Sequence, residues 1–196
     1  MKRRTIVRRS ATLVVVLALG GCSVASRDPS AGYRAALAAQ PGVVFADAAD
    51  GRRAVERFDA LYADLGEKNV AARVRQTYAP EAWFNDTIAT EVGIDAIESY
   101  LLKTARGAEF VKGTTRDVAV SGADCYVRWT LEVRTKNLAG GQTITTEGVS
   151  QLRFDPQGRI VLHQDFWNPS AGIYQHLPLL GPAIRFVNGL ITKPEW

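Results

Sequence analysis

The order of hydrophobic periods along this chain predicts an α+β domain, helices first and an antiparallel sheet after them. Two observations carry that expectation. From about residue 50 to residue 101, apart from one short extended stretch, apolar side chains recur every three or four positions, the period of amphipathic helices. Beyond residue 112 the period falls to two, and turn-forming stretches interrupt the apolar runs three times. One change of period without internal repeats describes about one domain.

Val55, Phe58, Leu61, Tyr62 and Leu65 form the stripe of a first helix that ends near Gly66. Val70, Val74 and Tyr78 mark a second, stopped by Pro80, which disfavours helical geometry in the residue before it. Residues 83–86 and 88–92 read as two short strands around a turn, and Gly93 separates them from a third helix carrying Ile94, Ile97 and Leu101. Extended segments over 112–120, 125–134, 142–154 and 159–167 follow, joined by turns at 121–124, 137–141 and 155–158, so the last four strands form a meander. Residues 22–46, rich in Ala with Ser, Asp and Pro, read as a tether with a short helix at 33–39. The domain proper then occupies 47–170. Residues 171–196 form a helical extension whose Ile184, Val187, Leu190 and Ile191 are more apolar than a solvated terminus requires. It should pack over the mouth of the domain or on a second copy.

The first 22 residues have their own logic. Lys2, Arg3, Arg4, Arg8 and Arg9 precede an apolar run over 11–19 that ends in Leu19-Gly20-Gly21-Cys22. That run falls well short of the roughly twenty residues that span a bilayer. The pattern resembles a bacterial lipoprotein signal, whose small residues let a peptidase cut before a lipidated thiol. The resemblance implies loss of residues 1–21, a lipid on Cys22 as the membrane contact, and residence in the cell envelope. Ser23 rather than Asp after Cys22 implies the outer membrane, facing the periplasm, in a host with two membranes.

Cleavage changes the charge. The chain holds 24 Lys and Arg against 20 Asp and Glu, and the five bases of the signal leave 19 against 20. A near-neutral body gives no case for nucleic acid as a partner. With Cys22 acylated only Cys125 remains, so no intrachain disulfide forms, and its place in an alternating strand suits a buried, inert thiol.

From Val55 to Trp167 the order of elements carries further motifs. They are Phe58-x-x-Leu61-Tyr62, the Tyr78 to Asp86 stretch with its Trp83-Phe84, the Gly93 to Ile97 helix start, the Gly148 to Phe154 strand, and Gly158-Arg-Ile with His163-Gln-Asp-Phe-Trp167. Together they resemble the SnoaL-like branch of the nuclear transport factor 2-like superfamily. That resemblance implies a cone-shaped α+β barrel, in which three N-terminal helices pack on a curved, mostly antiparallel sheet and a cavity opens between them. It also implies a range of roles, from isomerases and cyclases to proteins without chemistry.

Hairpin geometry then assigns faces. A four-residue loop between Asn137 and Gln142 sets Trp129 opposite Ser150, and pairing Phe154 with Arg159 sets Ser150 opposite His163. The inner face then collects Val127, Trp129, Leu131, Val133, Gly148, Ser150, Leu152, Val161, His163, Asp165 and Trp167. The outer face carries Tyr126, Arg128, Glu132, Arg134, Glu147, Gln151 and Arg153, a mostly solvated set. Gly148 and Ser150 leave the middle of the inner face without bulk, which predicts a cavity there, or a bulge at Gly148 that bends the sheet.

An acid on that face needs a partner or a purpose. Asp165 and His163 are the candidate catalytic pair for general acid or base chemistry, although two residues apart on a strand their backbones stand roughly 6 to 7 Å apart. Alternatively Asp165 accepts hydrogen bonds from Tyr62, Trp129 or Trp167 and only braces the sheet. Tyr62, Trp83, Trp129 and Trp167 are candidates for an aromatic wall around a ligand, with Ser150 beside them. Asp86 either completes a polar rim or caps the turn before Thr87. His163 and His176 are the two histidines, and no spacing suits a metal; no nucleotide, phosphate or serine-hydrolase motif implies a cofactor or that class of enzyme. Three roles follow: a lipid-anchored domain binding a small apolar or amphipathic ligand, an enzyme using Asp165 with His163 on a polyketide- or steroid-like substrate, and a homodimeric scaffold built on the charged outer face.

Overall fold

The computed structural model describes residues 28–191 apart from Asn137 and Leu179, so Cys22 and the signal-like segment lie outside the described residues. Four helices come first: α1 (Ala31–Ala39), α2 (Ala48–Ala54), α3 (Glu56–Tyr62) and α4 (Glu67–Thr77). Then follow β1 (Tyr78–Asn85), β2 (Thr90–Val92), α5 (Ile94–Gly107), β3 (Phe110–Ser121), β4 (Asp124–Arg134), β5 (Ile144–Phe154) and β6 (Ile160–Trp167). The tail carries α6 (Pro169–Gly172), a single 3-10 turn at Tyr174–His176, and α7 (Leu180–Ile191). One six-stranded sheet runs β2-β1-β6-β5-β4-β3, antiparallel except between β1 and β6. The expected α+β cone is therefore present.

The helix expected from Val55 to near Gly66 is α3, which ends earlier, at Tyr62; α2 precedes it, and Val55 sits at the break between the two. Asn69 closes the end of α3, its side-chain amide donating to the carbonyls of Ala60, Leu61 and Asp64 at 3.1, 3.0 and 2.6 Å. Tyr78 leaves the second helix for β1, because a residue two before Pro80 already lies in extended chain. The core fills the space between helices and sheet with Phe58, Leu61, Val70, Val74, Ile97, Val127, Leu152 and Ile160.

Two expected registers shift by two residues. Trp129 stands opposite Gly148 and Val127 opposite Ser150, because β4 stops at Arg134 and β5 starts at Ile144, leaving a longer connection with Ala139, Gly140 and Gly141 at positive φ. Ser150 stands opposite Asp165 and Leu152 opposite His163. A slip of two keeps every side chain on its face. Near the hairpin a β-bulge intervenes between Arg153 and Phe154, and Ile160 rather than Val161 enters the core.

The outer face departs most from expectation. Residues 31–45 do not leave the domain; α1 lies over β5 and β6, and Val43 and Phe45 donate backbone bonds to Phe154 and Gly122. Tyr33 donates to Gln151 at 2.5 Å, and Arg153 pairs with Asp124 while its Nη1 donates to the carbonyls of Leu37 and Gln40 at 2.9 Å. Gln151 is thereby buried instead of solvated. A small second cluster of Ala36, Trp83 and Leu162 forms beneath α1. Burial alone would raise the Asp124 carboxyl, but the hydrogen bonds from Arg153 and Gln151 and the charge of Arg153 together outweigh it and hold the group below the usual carboxylate range.

Candidate functional site

A cavity of about 680 Å³ opens between the inner face and helices α3 and α5, within the size range of small-molecule sites. Most of its wall is apolar: Phe58, Leu65, Phe84, Leu101, Leu131, Val133, Ile144 and Ile173. Polar groups enter from Tyr62, Asp86, Tyr100, Ser150, His163 and Asp165.

His163 is the hub. Its ring is fully buried, with the rings of Phe58, Tyr62, Tyr78 and Phe84 around it at centroid distances of 4.9 to 6.0 Å. Nε2 lies 2.7 Å from Asp165 Oδ1 and Nδ1 lies 2.6 Å from the Tyr78 hydroxyl, which in turn sits 2.8 Å from that of Tyr62. Ser150 Oγ donates to the same Asp165 oxygen at 2.5 Å and accepts from Trp129 Nε1 at 2.9 Å. One placement of protons satisfies all of these contacts around an ionised carboxylate. Tyr62 donates to Tyr78, Tyr78 to Nδ1, and Nε2–H and Ser150 to Asp165. Asp165 Oδ2 takes no hydrogen bond among the described residues, and Asp165 lines the cavity.

The i and i+2 positions thus form a tight pair, because adjacent inward side chains of a twisted strand converge where their backbones do not. Bracing by Tyr62, Trp129 or Trp167 acting directly on Asp165 is not what the site contains: Ser150 and His163 make those contacts. Burial raises the hydroxyls of Tyr62 and Tyr78 well above the ordinary tyrosine range, and the negative charges nearby add to it. Tyr100, desolvated and bonded to Asp86, is raised as well. A raised folded value contributes stability present below the unfolded tyrosine pKa and lost as pH climbs toward the folded one. Alkaline titration followed by tyrosinate absorbance is therefore expected to show a cooperative late step that coincides with unfolding above about pH 10. Independent, early ionisation of all six tyrosines would contradict the buried network.

Of the aromatic wall, Tyr62, Trp129 and Trp167 line the cavity and Trp83 does not. Trp83 pairs with Leu162 and faces α1, while its neighbour Phe84 pairs with His163 and faces inward. Aromatic type alone makes Trp83 a candidate, and no hairpin register fixes the face of β1, whose pairing with β6 shifts between Tyr78 and Trp83. Asp86 does both things considered for it. Oδ1 accepts from the amides of Ile88 and Ala89, and Oδ2 accepts from Tyr100 at 2.5 Å. Gly148 leaves room for indole, not for ligand: a Cβ there would lie 2.5 Å from the Trp129 ring and 2.8 Å from Trp167.

Tyr78, Phe84, Tyr100 and Asp59 were not legible as site residues. Asp59 lines the cavity from α3, accepts from Thr115 at 2.5 Å, and burial raises its carboxyl. A polar residue beside Phe58 in a core-facing stripe was the available signal. Cys125 is fully buried, and burial pushes its thiol up to about 11, which makes it a poor nucleophile. His176 lies in the 3-10 turn of the tail. Among the described residues no three His, Cys, Asp or Glu side chains cluster as metal ligands, and no helix is long and apolar enough to cross a membrane.

The family model described as a SnoaL-like domain matches residues 55–163, more than half of the chain. The chain belongs to the SnoaL-like domain family. Solved structures with the same fold include TsrD from Streptomyces laurentii, 20% identical over 69% of this chain and 100% of that one, with a TM-score of 0.54. A putative SnoaL-like polyketide cyclase from Jannaschia sp. CCS1 is 14% identical over 73% and 94%, with a TM-score of 0.51. An LEH-like epoxide hydrolase from M. tuberculosis is 13% identical over 68% of this chain and 96% of that one, with a TM-score of 0.52. No curated protein matches the chain. At these identities the likeness is one of fold, so this SnoaL-like domain must be read through its own cavity.

Proposed function

We propose that this SnoaL-like domain binds a small, largely apolar or amphipathic molecule in its cone and presents Asp165 to one polar group of it. The observation that carries this reading is the apolar cavity of about 680 Å³ with the half-engaged Asp165 carboxylate in its wall. Native mass spectrometry of protein extracted from its own membrane tests it. A co-purifying small molecule is expected, lost when Leu131→Trp fills the cavity; protein that is always empty, with an unchanged spectrum in the variant, refutes it.

A second reading is favoured by the 2.7 Å contact between His163 and Asp165. Asp165 Oδ2 would take a proton from the ligand as general base, and the hydrogen bonds from Ser150 and His163 would hold the carboxylate in place. This reading takes a polyketide- or steroid-like substrate, and the putative SnoaL-like polyketide cyclase that shares the fold supports the first of these. Asp165→Asn keeps the shape and the acceptor oxygen, so ligand should remain bound while any proton exchange or turnover falls by about 10² to 10⁴. Retained turnover in that variant excludes the base.

The same proposal places the domain in the cell envelope through lipid on Cys22, at the outer membrane facing the periplasm where the host has two membranes. Leu19-Gly20-Gly21-Cys22 supports it. Cys22→Ser should remove the acyl mass and shift the protein toward the soluble export fraction; an unchanged acyl mass elsewhere in the chain overturns it. A homodimer on the outer face is the weaker alternative, since α1 already covers Gln151 and Arg153 and leaves Arg128, Arg134 and Glu147 exposed.

A further inference from the structure

Helix α7 is docked by its polar side. At 100° per residue Leu180, Ile184, Val187 and Ile191 share one line, flanked by Ala183, Phe186 and Leu190, while Gly181 and Arg185 lie across the helix. Gly181 is buried, close enough to the Gln175 carbonyl that a Cβ would sit 2.2 Å from it, and Arg185 Nη1 donates to the same carbonyl at 3.0 Å. These contacts turn the apolar side outward, where Phe186 is 68% exposed and Ile191 62%. Arg185 is the one charged residue of the helix.

The place of this helix narrows what covers it. Tyr33, in the first turn of α1, meets the exposed Phe166 ring at 6.0 Å, and Phe166 stands three residues before α6. Farther along α1, Leu37 and Gln40 meet Arg153, toward the opposite end of the strands. The chain thus enters α1 and leaves for α6 and α7 at the same end of β6. Cys22 lies six residues before Asp28, a reach of about 20 Å at full extension.

We infer that the apolar side of α7 lies in the lipid–water interface of the membrane that carries the Cys22 lipid, as a second and non-covalent contact. The inference rests on the anchored reading above for its proximity. Its physical basis is that an in-plane helix with an uncharged apolar side buries area in the interface beyond what the lipid on Cys22 supplies. Gly172 and Ile173, which lead into the tail, also line the cavity. Contact at this end sets the cavity beside an apolar phase from which a ligand can partition.

The test uses the intact chain with a nitroxide on Val187→Cys, in vesicles of phosphatidylethanolamine and phosphatidylglycerol; buried Cys125 stays unlabelled. The label should be reached by oxygen in preference to an aqueous nickel complex, and a label on Arg128→Cys, on the exposed side of β4, should show the reverse. Adding Phe186→Asp and Ile191→Asp should abolish the oxygen preference. The same label in the Cys22→Ser chain, mixed with the same vesicles, separates the two ideas. Oxygen preference there supports the helix contact even if mass spectrometry finds no lipid on Cys22. A label at 187 as open to nickel as one at 128 overturns the inference, and so does spin–spin coupling between copies without oxygen preference, which makes this face a dimer interface.

Discussion

Replacing His163 by alanine is expected to cost about 3 to 5 kcal/mol of folding free energy, the largest single effect in the molecule. Three losses combine. The fully buried ring leaves a void among Phe58, Tyr62, Tyr78 and Phe84. Tyr78 keeps a buried hydroxyl without the acceptor 2.6 Å away, and Asp165 loses its imidazole donor and keeps only Ser150. Against a typical total of about 5 to 15 kcal/mol, that is a large share. Urea unfolding should show a lower midpoint at an unchanged slope. Tyr78→Phe removes two hydrogen bonds, the one to His163 and the one from Tyr62, but keeps the ring, so its cost should stay near 1 to 3 kcal/mol, roughly that of two buried bonds. Equal losses in the two variants would place the energy in the hydroxyl pair instead of the imidazole.

Gly148→Val should be the second most damaging change, and the one that most alters the cavity. A Cβ at this position would stand 2.5 Å from Cη2 and Cζ2 of Trp129, and valine adds two methyl groups. The indole must then move, which breaks the Trp129–Ser150 bond and with it one support of the Asp165 carboxylate. Overpacking of this kind costs about 1 to 3 kcal/mol or more. Tryptophan fluorescence should change along with the unfolding midpoint. Trp129→Phe should partly rescue the stability of Gly148→Val, because the smaller ring frees the space; additive losses would show that the two positions do not compete.

These two residues also mark how far the sequence could be read. Parity was legible: His163, Asp165, Ser150 and Trp129 share a face because side chains alternate with a period of two, and a register slip of two leaves that face intact. Contact was not. The same slip sets Ser150 opposite Asp165 and slides the Trp129 ring over Gly148, so the residue that predicted empty space instead accommodates an indole. Trp83 lies beyond any parity argument, because the hairpin registers assign faces only to the later strands; in the structure it packs under α1 while its neighbour Phe84 faces inward.

Periodicity and turn chemistry by themselves determined the α+β plan, the meander, the inward acid and the spare thiol. These are local properties, fixed by spacing along the chain. Tertiary structure decided what no spacing contains: that α1 covers the outer sheet, that Tyr62, Tyr78, His163 and Asp165 join into one hydrogen-bonded chain, and that α7 turns its apolar side outward. Each depends on contacts between distant segments. A register change of two residues, or one glycine close enough to a carbonyl, sets such contacts without changing the local pattern that the sequence displays.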